Sequence, residues 1–115
     1  DMKSTAQLKN LIECNIWNML ERPVMYGGLS PEWREASLAC LCFIWAHIEG
    51  REAEWRALKE SFCEQQGSHY QPQFARSFCG ANPDATVESA IEFVNESYRD
   101  IATRFGISKG DPDAL

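Results

Sequence analysis

The chain reads as an all-α protein, a small helical bundle of three to five helices around one core. Three observations carry that reading. Apolar residues recur at three- and four-residue spacings over several stretches, which places them on one face of a helix at about 100° per residue. Polar caps followed by proline mark two helix starts, and glycines mark the stops. No stretch shows the apolar–polar alternation of a half-buried strand. With 115 residues, 44% of them hydrophobic and 24% charged, the composition is that of an ordinary globular domain. The length suffices for one core burying about two-thirds of the unfolded surface. Residues 1–106 are expected to form a single domain and 107–115, ending in SKGDPDAL, a flexible tail.

The first helix is expected over 5–21, with Leu8, Leu11, Ile12, Ile16, Met19 and Leu20 on one face and Ser4 or Thr5 as cap. ERPVMYGGLSP then breaks the pattern, because Pro23 cannot continue a helix and Gly27-Gly28 opens the backbone. Ser30-Pro31-Glu32 restarts it with a hydroxyl cap, a first-turn proline and an acid at the positive end of the dipole. This second helix should run over 31–49 to Gly50, and a third over 52–66 to Gly67. A glycine inside a helix costs only about 1 kcal/mol, so one long bent helix over 31–66 is the alternative. FARSFC reads as a short helical turn, and Asn82-Pro83 as the start of the last helix, over 83–105. Its stripe of Val87, Ala90, Ile91, Val94, Tyr98, Ile101 and Phe105 ends at Gly106, with Ile107 placed for the hydrophobic contact of a Schellman stop.

The apolar run ASLACLCFIWAHI, residues 36–48, falls short of the about 20 residues that span a bilayer. In a helix Cys40 and Cys42 point about 200° apart, so they share neither a metal nor a disulfide. Leu38, Leu41, Ile44, Trp45 and Ile48 with Trp33 make one apolar face, and Ala36, Ala39, Phe43 and Ala46 the opposite one. A helix apolar on both faces is expected to be buried on both, at the centre of the bundle or in a dimer interface where the Ala36, Ala39, Phe43 and Ala46 face meets another copy, with His47 a packed boundary residue.

Five cysteines at 14, 40, 42, 63 and 79 match no disulfide scaffold of small secreted domains, and residues 3–15 lack the features of a secretory signal, so reduced thiols and the cytoplasm are expected. A net charge of −6 disfavours direct contact with nucleic acid and favours basic partners. There is no phosphate loop, GxSxG or HExxH, so no catalytic residue, cofactor or metal is expected. A thiol or metal site built from Cys63, Cys79, His69 and one helix cysteine such as Cys40 is the competing reading; it lacks the paired spacings that make zinc signatures specific.

Four surfaces are candidates for binding a partner. Asp84, Glu88, Glu92, Glu96 and Asp100 recur every four residues as an acidic ridge, relieved in part by Arg99 and Arg104. Trp17 with Cys14 lies away from the main stripe of the first helix, where tryptophan would mark an interface hot spot. Trp55, Leu58 and Phe62 form a narrow stripe fit for a groove. Met25 and Tyr26 sit at an apolar loop tip. The expected function is that of a small acidic stoichiometric inhibitor or anti-activator of a larger intracellular protein, such as a transcription regulator or a nucleic-acid-handling complex. A homodimer is expected, no membrane partner is, and a structural subunit of a phage or secretion assembly is a further alternative.

Overall fold

A computed structural model describes residues 4–22, 30–62 and 73–115. Five α-helices form the protein there: α1 (Thr5–Glu21), α2 (Pro31–Ile48), α3 (Glu52–Phe62), α4 (Gln73–Ala81) and α5 (Val87–Phe105), with a 3-10 turn at Pro112–Ala114 and no strand among the described residues. This is the all-α bundle that the periodicity predicts.

The helix ends follow local chemistry. At α1 the cap is Ser4, in a reciprocal box with Gln7: the Gln7 amide donates to Ser4 Oγ at 3.2 Å and the Ser4 amide to Gln7 Oε1 at 2.8 Å. Ser30 caps α2 by accepting from the Trp33 amide at 3.0 Å. Gly50 decides between one bent helix and two. It stands at φ 71°, and the Gly50 and Arg51 amides turn back to the His47 and Ala46 carbonyls at 3.2 and 2.7 Å, a complete Schellman stop. The chain therefore reverses into α3 as a separate helix.

Two expectations about the second half change. FARSFC lies within a helix of nine residues, α4, rather than a single turn. Asn82 closes α4 instead of opening α5: its amide and its Nδ2 both donate to the Phe78 carbonyl, at 3.0 and 2.8 Å. With Asn82 so engaged, residues 82–85 form a turn and α5 begins at Val87, capped by Thr86 in a reciprocal box with Ser89. At the other end the predicted Schellman stop forms, the Ile107 amide donating to Ala102 at 2.9 Å with Ile107 buried.

The core joins Ile16 and Leu20 of α1, Leu38, Cys42 and Trp45 of α2, and Val94 and Tyr98 of α5. Phe105 receives the edges of Trp45 and Trp55 at centroid distances of 6.3 and 6.0 Å, and Phe74 and Phe78 bind α4 to α5 against Tyr98 and Phe93.

Within this core α2 carries two fully buried charges side by side. Arg34 donates from Nη1 to the Met19 carbonyl at 2.9 Å and to Asn95 Oδ1 at 3.2 Å, joining the end of α1 to α5. Arg99 donates to the next carbonyl, Leu20, at 3.0 Å. Two guanidinium groups thus satisfy carbonyls at the negative end of the α1 dipole. Glu35 does the converse, accepting from the Phe74 and Ala75 amides at 3.1 and 2.9 Å and so capping the N-terminus of α4. Adjacent residues of one helix hold the ends of two others.

The tail expected to be flexible, residues 107–115, lies against α1. The Ile107 carbonyl accepts from Trp17 Nε1 at 2.9 Å, and Asn10 and Asp111 exchange two hydrogen bonds of 2.7 and 3.0 Å. Lys109 stands 5.3 Å over the Trp17 ring and bridges to Glu21. Gly110, at φ 75°, lies so close to α1 that an added Cβ would meet Cys14 Sγ at 2.6 Å. The tail is polar in composition, yet α1 offers donors and an aromatic face that match it.

Candidate functional site

The candidate surfaces within the described residues have definite places. Cys14 and Trp17 are buried beneath the tail, 5% and 8% exposed, so the free tryptophan patch proposed for α1 is an intramolecular contact. Trp55 is core at 2% exposure and Leu58 packs half-buried beside it, which removes the groove-binding stripe. The Phe62 side chain, Met25, Tyr26, Cys63 and His69 lie outside the described residues.

The acidic ridge is realised on α5. Glu88, Glu92, Glu96 and Asp100 are all exposed, opposite the buried line of Ala90, Val94, Tyr98 and Ile101, while Asp84 lies exposed in the preceding turn. Asp100 pairs with Arg104 at 3.1 Å. Among the described residues, Glu88, Glu92 and Glu96 take part in no salt bridge, and the nearby Arg99 donates to the Leu20 carbonyl of α1. Caps at both ends and aromatic contacts from α4 hold the helix that presents these carboxylates.

A second surface is the outer face of α2, which includes Ala36 and Phe43 of the face expected in the bundle centre or in a dimer interface. Within one chain only the inner face is covered: Trp33, Phe43 and Ile44 are 50%, 37% and 38% exposed, and Ala36, Cys40 and His47 are exposed between them. The inner face is occupied instead by Arg34, Glu35, Leu38, Cys42, Trp45 and Ala46. Beside the outer face runs an open groove of about 280 Å³ lined by Ala36, Ala39, Cys40, Phe43, Trp55 and Lys59. Phe43 stacks on His47 at 6.5 Å with 27° between the rings, and His47 Nδ1 meets Glu52 Oε2 at 3.1 Å. Hydrogen bonds from His47 and Arg56 hold the Glu52 carboxyl below its ordinary range.

The thiols divide by burial. Cys14 and Cys42 are buried and Cys40 and Cys79 exposed. Desolvation pushes the Cys42 thiol up to about 12, which keeps it protonated and unreactive. No group of three or more potential metal ligands gathers among the described residues. No described helix is long and apolar enough to cross a membrane.

No protein-family model matches the chain, and neither the curated proteins nor the solved structures include a significant match to it. Its class is therefore defined by fold and surface alone: a small acidic α-helical bundle with a charged ridge on one helix and an apolar outer face on another.

Proposed function

We propose that the protein is a non-catalytic interaction module, which binds a larger protein of basic surface stoichiometrically and restrains it as an inhibitor or anti-activator does. The observation that carries the reading is the α5 ridge, with three exposed carboxylates that no described cation neutralises. Carboxylates four residues apart recur every about 6 Å along a helix. They repel one another by about 0.2–0.5 kcal/mol per pair, so the stability of α5 alone gives no reason for Glu92 to be followed by Glu96. A row of like charges on a rigid helix steers a basic partner and fixes its register. The net charge of −6 extends the same field over the whole molecule, and transcription regulators and nucleic-acid-handling complexes offer the matching basic surfaces. The encounter belongs to the cytoplasm in this reading, where unpaired cysteines stay reduced.

Affinity capture from the native host tests it, with wild type and a Glu88→Lys, Glu92→Lys, Glu96→Lys triple variant as baits. The expected result is one protein retained in stoichiometric amount by wild type and lost from the variant. Identical proteins on both baits would discard the ridge as the binding surface.

A further inference from the structure

We infer that the outer face of α2 pairs with the same face of a second copy, the two helices running antiparallel about a twofold axis at Cys40. This goes beyond the ridge reading and does not depend on it. The buried face of α2 packs toward α5 through Arg34 and Asn95, so pairing through the outer face leaves the ridge of each copy open.

The face complements itself in size. Cys40 stands near the middle of an 18-residue helix, and antiparallel pairing about it sets Ala36 of one copy against Ile44 of the other and Ser37 against Phe43. Small residues meet large ones on both sides of the axis, which lets the helices approach to the about 8–10 Å of ordinary helix packing. The half-exposed Trp33 then falls against His47 of the second copy, whose ring is already stacked on Phe43 as a flat aromatic platform.

The face also complements itself in charge. Its N-terminal end carries the exposed Glu32. Its C-terminal end carries His47, flanked by Arg56 of α3, both held in place by Glu52. Antiparallel pairing brings Glu32 of each copy to His47 and Arg56 of the other, so the contact forms twice. A parallel pairing would put Glu32 beside Glu32 and Arg56 beside Arg56. An 18-residue helix is about 27 Å long, which gives an interface at the low end of specific contacts.

Sedimentation equilibrium across about 1 μM to 1 mM reads the dimer directly. Phe43→Asp, at a position 37% exposed, is expected to leave only monomer with its helical circular dichroism unchanged. Glu32→Arg and Arg56→Glu should each weaken association about tenfold or more, and the Glu32→Arg, Arg56→Glu double variant should return to within about threefold of wild type. A short bis-maleimide should cross-link wild type and Cys79→Ser but not Cys40→Ser. A wild type that stays monomeric overturns the inference, as does a dimer indifferent to Phe43→Asp. A double variant no better than either single one overturns the antiparallel register.

Discussion

Replacing Glu35 by alanine should unseat α4. The carboxylate is fully buried and accepts from the Phe74 and Ala75 amides at 3.1 and 2.9 Å, at the end where a helix has unsatisfied donors and a positive dipole. A hydrogen bond to a charged group contributes about 1.5–3 kcal/mol, and the two amides would stay buried without their acceptor, so a loss of about 3–5 kcal/mol is expected. For 115 residues the unfolding entropy converts that into a fall in Tm of about 12–20 °C. Glu35→Gln keeps an acceptor and loses the charge, and should cost about 1–2 kcal/mol, or about 4–8 °C. Thermal unfolding followed by circular dichroism measures both. Amide hydrogen exchange on the alanine variant should show residues 74–78 losing protection before α1 and α5 do. If the alanine variant melts within about 2 °C of wild type, a shift worth about 0.5 kcal/mol, the carboxylate is not what holds the start of α4.

Trp17→Phe removes the hydrogen bond to the Ile107 carbonyl while keeping an aromatic ring, and should cost about 1 kcal/mol of stability with no effect on association; weakened self-association or partner binding at unchanged stability would restore Trp17 as an interface residue. Glu52 titrates below its ordinary range when folded, so its contribution is present above the unfolded carboxylate pKa and is lost as pH falls through the lowered value. Glu52→Gln should therefore flatten the acid limb of the stability curve below about pH 4, and an unaltered limb would show that the His47 and Arg56 contacts do not persist in solution. Native protein treated with iodoacetamide at mildly alkaline pH should label Cys40 and spare Cys42, whose buried thiol is pushed up to about 12; equal labelling would mean that α2 opens to solvent.

Local signals were legible where a residue acts on its own neighbourhood. Ser4, Ser30 and Gly106 mark helix ends in the sequence and do so in the structure, whereas the sequence left Gly50 open between a bend and a stop and its positive φ makes it a stop. Asn82 misled because the same side chain serves as an opener or a closer, and only the Phe78 carbonyl behind it decides. The apolar pattern of α2 misled for a different reason. Counting hydrophobic residues gave both apolar faces a buried place and passed over Arg34 and Glu35, whereas these two are buried and Trp33, Phe43 and Ile44 are exposed. Their register was readable, since 34, 38, 42 and 45 fall on one side of a helix. Their purpose was not, because the groups they satisfy lie 15 and 40 residues away in the chain. The Asn10 to Asp111 contact spans 101 residues and has no sequence signature. The exposure of the ridge was readable because a strict four-residue repeat on a strongly amphipathic helix fixes which side meets solvent. The sequence left the second apolar face of α2 to the bundle or to another copy, because apolar residues alone do not say whether a partner belongs to the same chain.

Electrostatic docking through the α5 ridge is the central proposal. Its direct test is the association rate constant between purified protein and the partner that wild type captures, measured by stopped flow over a range of ionic strength. The rate should fall steeply with added salt for wild type, while the Glu88→Lys, Glu92→Lys, Glu96→Lys variant should associate at least about tenfold more slowly at low salt and with little salt dependence. Equal rates and equal salt slopes for the two proteins would contradict it.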